Sequence, residues 1–302
     1  MQLRLTQNFR QLPLERSAYA TIPRRDDVSQ HYKIISRGRP NLTDHSHNRS
    51  SLKPSQSVII PAYNEATRLE STLEIVHTYL VDQDFDFEII VVNDGSTDET
   101  REISERVAKQ NESIRVLDLP HGGKAVAVRR GIEATRGDVI AFTDADLATP
   151  IDALVAFRTA IENGYDLAIG SREGVGAKRI GEPLFRHVMG RAFNLMVRAL
   201  VLPGIQDSQC GFKLFSREAA ETILANLRLY SATEAPQSRE PKVTAFDVEL
   251  LVVARRQGLR IAVIPVTWTF GENSKVNPLR DTVNNTRDVL TVKWHDLRGR
   301  YD

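Results

Sequence analysis

The chain has 302 residues, 41% hydrophobic and 26% charged, the balance of a soluble globular protein with one large domain or two small ones. Its 40 Lys/Arg and 39 Asp/Glu leave a net charge of +1, which argues against a nucleic-acid binder and its marked basic excess. The single cysteine, Cys210, excludes an internal disulfide framework and a cysteine-rich zinc site.

No stretch approaches the roughly 18 apolar residues of a spanning helix. The N-terminus carries Arg with no apolar core behind it, so no secretory signal is visible. These features predict a cytoplasmic protein whose membrane contact, if any, is peripheral and at the inner face.

Charge is unevenly spread. Residues 1–56 hold ten Lys/Arg and four Asp/Glu, a net of +6, and the rest of the chain nets to −5. The first segment has little apolar periodicity and reads as a mostly disordered basic arm. It is either a plain solvated tail or an arm that attracts an anionic membrane.

From Ser57 short apolar runs alternate with amphipathic ones. Ser57 to Pro61 and Phe87 to Val92 read as buried strands, with a helix from Thr67 to Val81 between them, its apolar residues at Leu69, Leu73, Val76 and Leu80. A charged helix spans Asp98 to Gln110. A strand at Ile114 to Leu117, a helix at Lys124 to Thr135 and a strand at Val139 to Phe142 follow. A helix at Pro150 to Asn163, with Pro at a favourable early position, leads to a strand at Asp166 to Ile169. Such alternation predicts right-handed βαβ units and a largely parallel, Rossmann-like sheet with flanking helices, its ligands beyond the carboxyl ends of the strands.

After Ser171 the alternation breaks down. Pro183 to Leu202 reads as an apolar helix interspersed with Arg186, Arg191 and Arg198. Tyr230 to Thr244 reads as a loop, Asp247 to Gln257 as a helix, Arg260 to Thr269 as a strand and Pro278 to Asp302 as a final helix.

The unusual residues follow the strands. The first ends in Pro61-Ala62-Tyr63-Asn64-Glu65, the second in Asn93-Asp94-Gly95-Ser96-Thr97-Asp98. An Asp past a strand can accept hydrogen bonds from a base or ribose, Gly95 permits the turn and Asp98 can cap the next helix. Gly122-Gly123-Lys124 opens the third helix, where amides and a Lys favour a phosphate or base edge, although the spacing is not that of a P-loop. Asp144-Ala145-Asp146 follows the fourth strand. Its carboxylates can converge on a hard divalent cation or a ribose, or serve as an acidic turn ahead of Pro150.

In this order the motifs resemble the family 2 glycosyltransferases of the GT-A fold. Gly170-Ser171-Arg172, Asp207-Ser208-Gln209-Cys210-Gly211-Phe212-Lys213-Leu214-Phe215 and Phe246-Asp247-Val248-Glu249-Leu250 resemble the dolichyl-phosphate β-glucosyltransferase subgroup and its bacterial polyprenyl-phosphate relatives. The resemblance covers about Ser57 to Phe270, with a nucleotide-sugar half at 57–171 and an acceptor half at 172–270, followed by a helical extension at 271–302. It implies inverting transfer of a hexose, commonly from UDP-glucose. Pro61, Ala62, Tyr63, Glu65, Asp94 and Lys124 would line the nucleoside pocket. Asp144 and Asp146 would bind ribose, diphosphate and Mg²⁺ or Mn²⁺.

The leading acceptor is polyprenyl or dolichyl phosphate. The chain departs from eukaryotic dolichol enzymes in showing no N-terminal membrane helix, and from several bacterial relatives in showing no spanning helices after the domain. Rival readings are transfer to a soluble sugar, small-molecule or protein hydroxyl, a nucleotidyltransferase, and a non-catalytic sugar-nucleotide binder. The missing Gly-rich loop after the first strand opposes the nucleotidyltransferase. Asp247 reads as a general base for a hydroxyl acceptor, as a group that orients basic residues, or as a helix N-cap. Arg172, Arg186, Arg191 and Lys213 are candidates for holding phosphates. Arg186 and Arg191 lie about 140° apart around a helix and need not share a face. Cys210, with no His near in sequence, reads as a small packing residue.

Overall fold

A computed structural model describes residues 33–34, 55–229, 245–271 and 278–302. Most of the basic arm and the expected loop at 230–244 lie outside the described residues. Lys33–Ile34 (β1) is a short strand, antiparallel to a strand near the C-terminus.

Runs of β-branched residues with no polar interruption make the first long strands. Gln56–Ala62 (β2) and Phe87–Asp94 (β3) pair in parallel, and Ile114–Leu119 (β4) and Val139–Phe142 (β5) flank them. Side chains alternate between two cores. Ile59, Ile90 and Phe142 face one layer of helices; Val58, Ile60, Ile89 and Val91 face the other. Both faces are covered, which explains the unbroken apolar runs at residues 58–60, 89–92 and 139–142.

One layer holds Leu69–Val81 (α1), Thr100–Gln110 (α2) and Leu154–Glu162 (α4). The other includes Lys124–Ala134 (α3), where a Cβ on Gly131 would lie 2.5 Å from Ile59, so the glycine lets this helix sit down on β2. The expected helix from Pro150 begins as a 3₁₀ turn at Ile151–Ala153 before α4 takes over.

Beyond Leu167–Ser171 (β6) the chain departs from simple alternation. Lys178–Ile180 (β7), Leu184–Leu200 (α5), Lys213–Ser216 (β8), Arg217–Asn226 (α6) and Phe246–Arg256 (α7) follow. The sequence reading had no strand at β7 or β8 and no helix at α6. The eight-stranded sheet has the order β1-β9-β6-β8-β5-β2-β3-β4, and β8 runs antiparallel between β5 and β6. β8 is only four residues long and starts on a lysine, which hides it from a search for apolar runs. Ser216 caps α6 by accepting the Ala219 amide at 3.2 Å, an ordinary helix start signal.

The strand expected at Arg260 to Thr269 divides. Ile261–Pro265 (β9) stays in the main sheet, and Thr267–Thr269 (β10) pairs with β7 in a separate two-stranded sheet. The main-sheet pairing ends where the Val266 amide donates at 3.0 Å to the carbonyl of Ser171, the last residue of β6. The last helix is Pro278–Leu297 (α8), shorter than the expected run to Asp302. Among the described residues no helix is long and apolar enough to cross a membrane.

Candidate active site

The loops beyond β2 and β3 are knitted to one another. Asn64, at φ 53°, donates its amide to Ser96 Oγ at 3.0 Å and accepts the Thr97 amide at 2.8 Å. Asp98 accepts the amides of Ala66 and Thr100, so it secures the start of α2 and the preceding loop together. Glu65 lies 3.0 Å from Arg68. Ala62 is buried in the core and can offer a ligand only its main chain, while Pro61 and Tyr63 are partly buried beside it.

Asp94 closes β3. The sequence suggested a base or ribose contact, and the structure gives its carboxylate to the next loop. Oδ1 accepts the Gly122 amide at 2.8 Å and Oδ2 the Gly123 amide at 2.9 Å. His121 Nδ1 lies 2.8 Å from the same Oδ2, and the His121 ring stacks on Tyr63 with centroids 4.1 Å apart. His121 escaped the sequence reading; its one signal is its position before Gly122-Gly123. Gly95, at φ 64°, has to be glycine because a Cβ would meet the His121 nitrogen at 2.6 Å. Gly123, at φ 90°, sets the first turn of α3 and aims Lys124 across the strand ends.

Lys124 pairs with Asp144. Burial opposes its charge, but Asp144, Asp247 and Asp146 outweigh that and lift its pKa above the ordinary lysine value. Asp146 accepts the Ala148 amide at 3.0 Å. Burial, and then the neighbouring charge of Asp144, push its carboxyl above the usual range. Thr72 of α1 donates to the Ala145 carbonyl at 2.6 Å and so fixes the segment between the carboxylates. A cleft of about 430 Å³ opens here, lined by Arg68, Thr72 and Asp146 among others.

Segment 207–213 braces this site at three points. Asp207, fully buried, takes Arg172 in a two-pronged pair, Nε to Oδ2 at 2.8 Å and Nη2 to Oδ1 at 2.9 Å. Burial alone would raise the Asp207 carboxyl, but Arg172 overrides it and holds it well below the usual carboxylate range. Gly211 touches Asp144 so closely that a Cβ would lie 1.9 Å from Oδ2. Lys213, fully buried on β8, donates to the Cys210 carbonyl at 2.7 Å and to Asp247 Oδ1 at 2.5 Å. The Cys210 thiol is buried and pushed up by that burial, as a packing residue should be.

Lys124, Asp144, Asp146, Asp247 and Lys213 are therefore brought together. Asp247 lies inside the first turn of α7, two residues past the N-cap Ala245, and its carboxylate accepts from Lys213. Arg172 stands apart with Asp207 and Trp268, Arg186 lies over Phe270 at 5.1 Å, and Arg191 pairs with Glu173.

The donors fit a hard divalent cation. Two aspartates two residues apart supply oxygen only, burial and then the Asp144 charge raise the Asp146 carboxyl, and Gly211 keeps the space beside Asp144 clear of any side chain. Among the described residues no three His, Cys, Asp or Glu side chains gather to enclose a metal. That suits a cation that takes part of its shell from substrate phosphates.

Residues 57–224 match the family model described as Glycosyl transferase family 2. The chain is 36% identical over 244 residues to glycosyltransferase AglD of Haloferax volcanii, an alignment covering 79% of this chain and 37% of that protein. It is 33% identical over 260 residues to the dolichyl-phosphate beta-glucosyltransferase of Homo sapiens, covering 81% of this chain and 76% of that one. In fold it is similar to glucosyl-3-phosphoglycerate synthase from Mycobacterium tuberculosis, solved with Mn²⁺ and UDP-glucose, with a TM-score of 0.56 and 22% identity over 80% of this chain and 79% of that chain. The chain belongs to glycosyltransferase family 2 and is a glycosyltransferase of the GT-A fold.

Proposed function

We propose that the chain transfers glucose, or a similar hexose, from a UDP-sugar to polyprenyl or dolichyl phosphate with inversion. The observation that carries this reading is the convergence of Asp144 and Asp146 with Lys124 and Asp247 beyond β5. Similarity to the dolichyl-phosphate β-glucosyltransferases supports the acceptor.

Asp144 and Asp146 would hold Mg²⁺ or Mn²⁺, which neutralises charge on the departing diphosphate. Lys124, at the start of α3, adds a positive charge beside those carboxylates, where negative charge develops as the sugar leaves. The Asp94 carboxylate holds the Gly122 and Gly123 amides, and the loop shaped in this way would border the nucleoside. A phosphate acceptor is already anionic at neutral pH and requires no strong base. An Asp247 tied to buried Lys213 suits that chemistry, since its carboxylate orients neighbouring cations and need not take a proton.

The test is incubation with a panel of nucleotide sugars and Mn²⁺, with and without a short polyprenyl phosphate, with products identified by mass. A glucosyl phospholipid formed from UDP-glucose is the expected product. Sugar addition to hydroxyl acceptors alone would overturn the lipid-phosphate reading.

A further inference from the structure

Thirteen large hydrophobic side chains are exposed among the described residues, and eight of them lie on α5 and α8. On α5 they are Leu184, Phe185, Val188 and Leu195, with Leu184 77% exposed. Ala192, Ala199, Arg191 and Arg198 are the other exposed members of the same face. At 100° per residue the eight positions fall in an arc of roughly 140°. The opposite side of the helix, Phe193 and Val197, is in the core.

α8 repeats the pattern. Val283, Leu290, Trp294 and Leu297 are exposed, the last at 72%, and with Arg287 and Arg298 they occupy an arc of roughly 100°. Val289 and Val292 turn inward. The Arg298 guanidinium lies 3.9 Å and that of Arg300 4.8 Å from the Trp294 ring centroid. The two helices pack against each other.

Neither arc contains an acidic side chain. A water-facing helix surface is polar and charged, whereas a large exposed apolar patch marks a contact with a membrane or another protein. These arcs combine apolar side chains, Phe185 and the Trp294 indole among them, with arginines as their only charged members, a charge pattern that complements an anionic surface. Arg191 shares its charge with Glu173, and the other arginines of the arcs add positive charge. Long Arg side chains can lie along an apolar surface while their heads reach anionic groups, and Trp is favoured where an apolar layer meets water.

We infer that α5 and α8 together form a docking surface for an anionic lipid bilayer, with the aliphatic side chains and Trp294 entering the headgroup boundary and the arginines meeting lipid phosphates. α5 leads directly to the site: Arg186 lies over Phe270, and a Cβ on the neighbouring Gly271 would sit 3.6 Å from Asp146. The inference deepens the lipid-acceptor reading by assigning a surface to the membrane. Its test reads lipid contact, so it decides this surface whatever acceptor the site takes.

The full chain is floated with phosphatidylcholine vesicles with and without phosphatidylglycerol, and Trp fluorescence is followed with brominated lipid. Binding should require phosphatidylglycerol and fall with salt. Brominated lipid should quench wild type more than Trp294→Phe, which assigns the quenched indole against Trp268. Val188→Asp and Leu290→Asp, at exposed positions, should keep the wild-type melting temperature and each weaken vesicle binding roughly tenfold or more. Unquenched Trp294, or Asp variants that bind vesicles like wild type, would overturn the inference. So would a concentration-dependent dimer that Leu290→Asp dissolves while no vesicle is bound, since the face would then belong to a second copy.

Discussion

The two halves of the site handle charge in opposite ways. In the nucleotide half, Lys124 and Asp144 meet at side-chain exposures of 42% and 38%, and the loops around them are held by main-chain amides. In the acceptor half, Asp207 and Arg172 meet at 0% and 17%, and Lys213 is buried under Asp247. A pair that water reaches from outside can exchange one partner for a ligand at lower cost than an enclosed one. A buried pair is costly to break, because it leaves a charge without water or counterion. The first half thus presents charges for binding, and the second uses them to fix shape.

The largest way to break this comparison is Asp207→Asn. It strands Arg172 in a buried place and should cost about 3–5 kcal/mol of stability. Because Arg172 depresses the Asp207 pKa, the pair's contribution is complete above the unfolded value of about 3.9 and is lost as pH falls below it. Denaturant unfolding should show a constant gap between wild type and variant from neutral pH down to about 4, narrowing at lower pH. A gap that widens on acidification would contradict the assignment.

Asp146→Ala tests the open half. Burial, and then Asp144, raise the pKa of its carboxyl, so the charged form is not favoured by the fold and removing it should leave stability within about 0.5 kcal/mol. Transfer should fall on the order of a hundred- to a thousandfold, as when a preorganised electrostatic group is lost. Measured turnover close to wild type with Mn²⁺ chelated would remove Asp146 from the metal site.

Asp94→Ala should weaken UDP binding by roughly 1.5–3 kcal/mol, the scale of hydrogen bonds to a charged group. Calorimetry with UDP and with uridine alone shows how: equal losses mark a disordered Gly122–Gly123 turn, and unchanged affinity for both would leave Asp94 with only a turn-forming role. The smallest effect is expected for Gly211→Ala. Its Cβ would displace Asp144, and Mn²⁺ affinity, read by titration in the presence of UDP, should drop roughly tenfold, as for loss of a group that positions a ligand.

The parallel half was open to reading residue by residue. Leu69, Leu73, Val76 and Leu80 fixed α1 by their spacing, and Val139–Phe142 emerged with the bounds its apolar run predicted. The strand-end motifs could be placed because a parallel βαβ sheet has all its loops of one kind at one edge. The acceptor half resisted the same method. β8 is short and carries Lys213 inside it, and its place between β5 and β6 depends on a non-local antiparallel pairing that no local period records. Beyond its place before Gly122-Gly123, His121 carries no local signal of its role, which exists only because the fold sets Asp94 and Tyr63 against it.

The sequence by itself determined the parallel core, the positions of Asp94, Lys124, Asp144 and Asp146 at strand ends, and the family. Those follow from local periodicity and from motifs that keep their spacing along the chain. Only the tertiary structure decided how the charges are paired: Asp94 with the Gly122–Gly123 amides, Asp207 with Arg172, Lys213 with Asp247, and Gly211 against Asp144. Each of these contacts joins residues that are 28 to 67 positions apart or lie on different strands, and burial, which sets whether a charge binds a ligand or braces the fold, exists only after the sheet has closed around them.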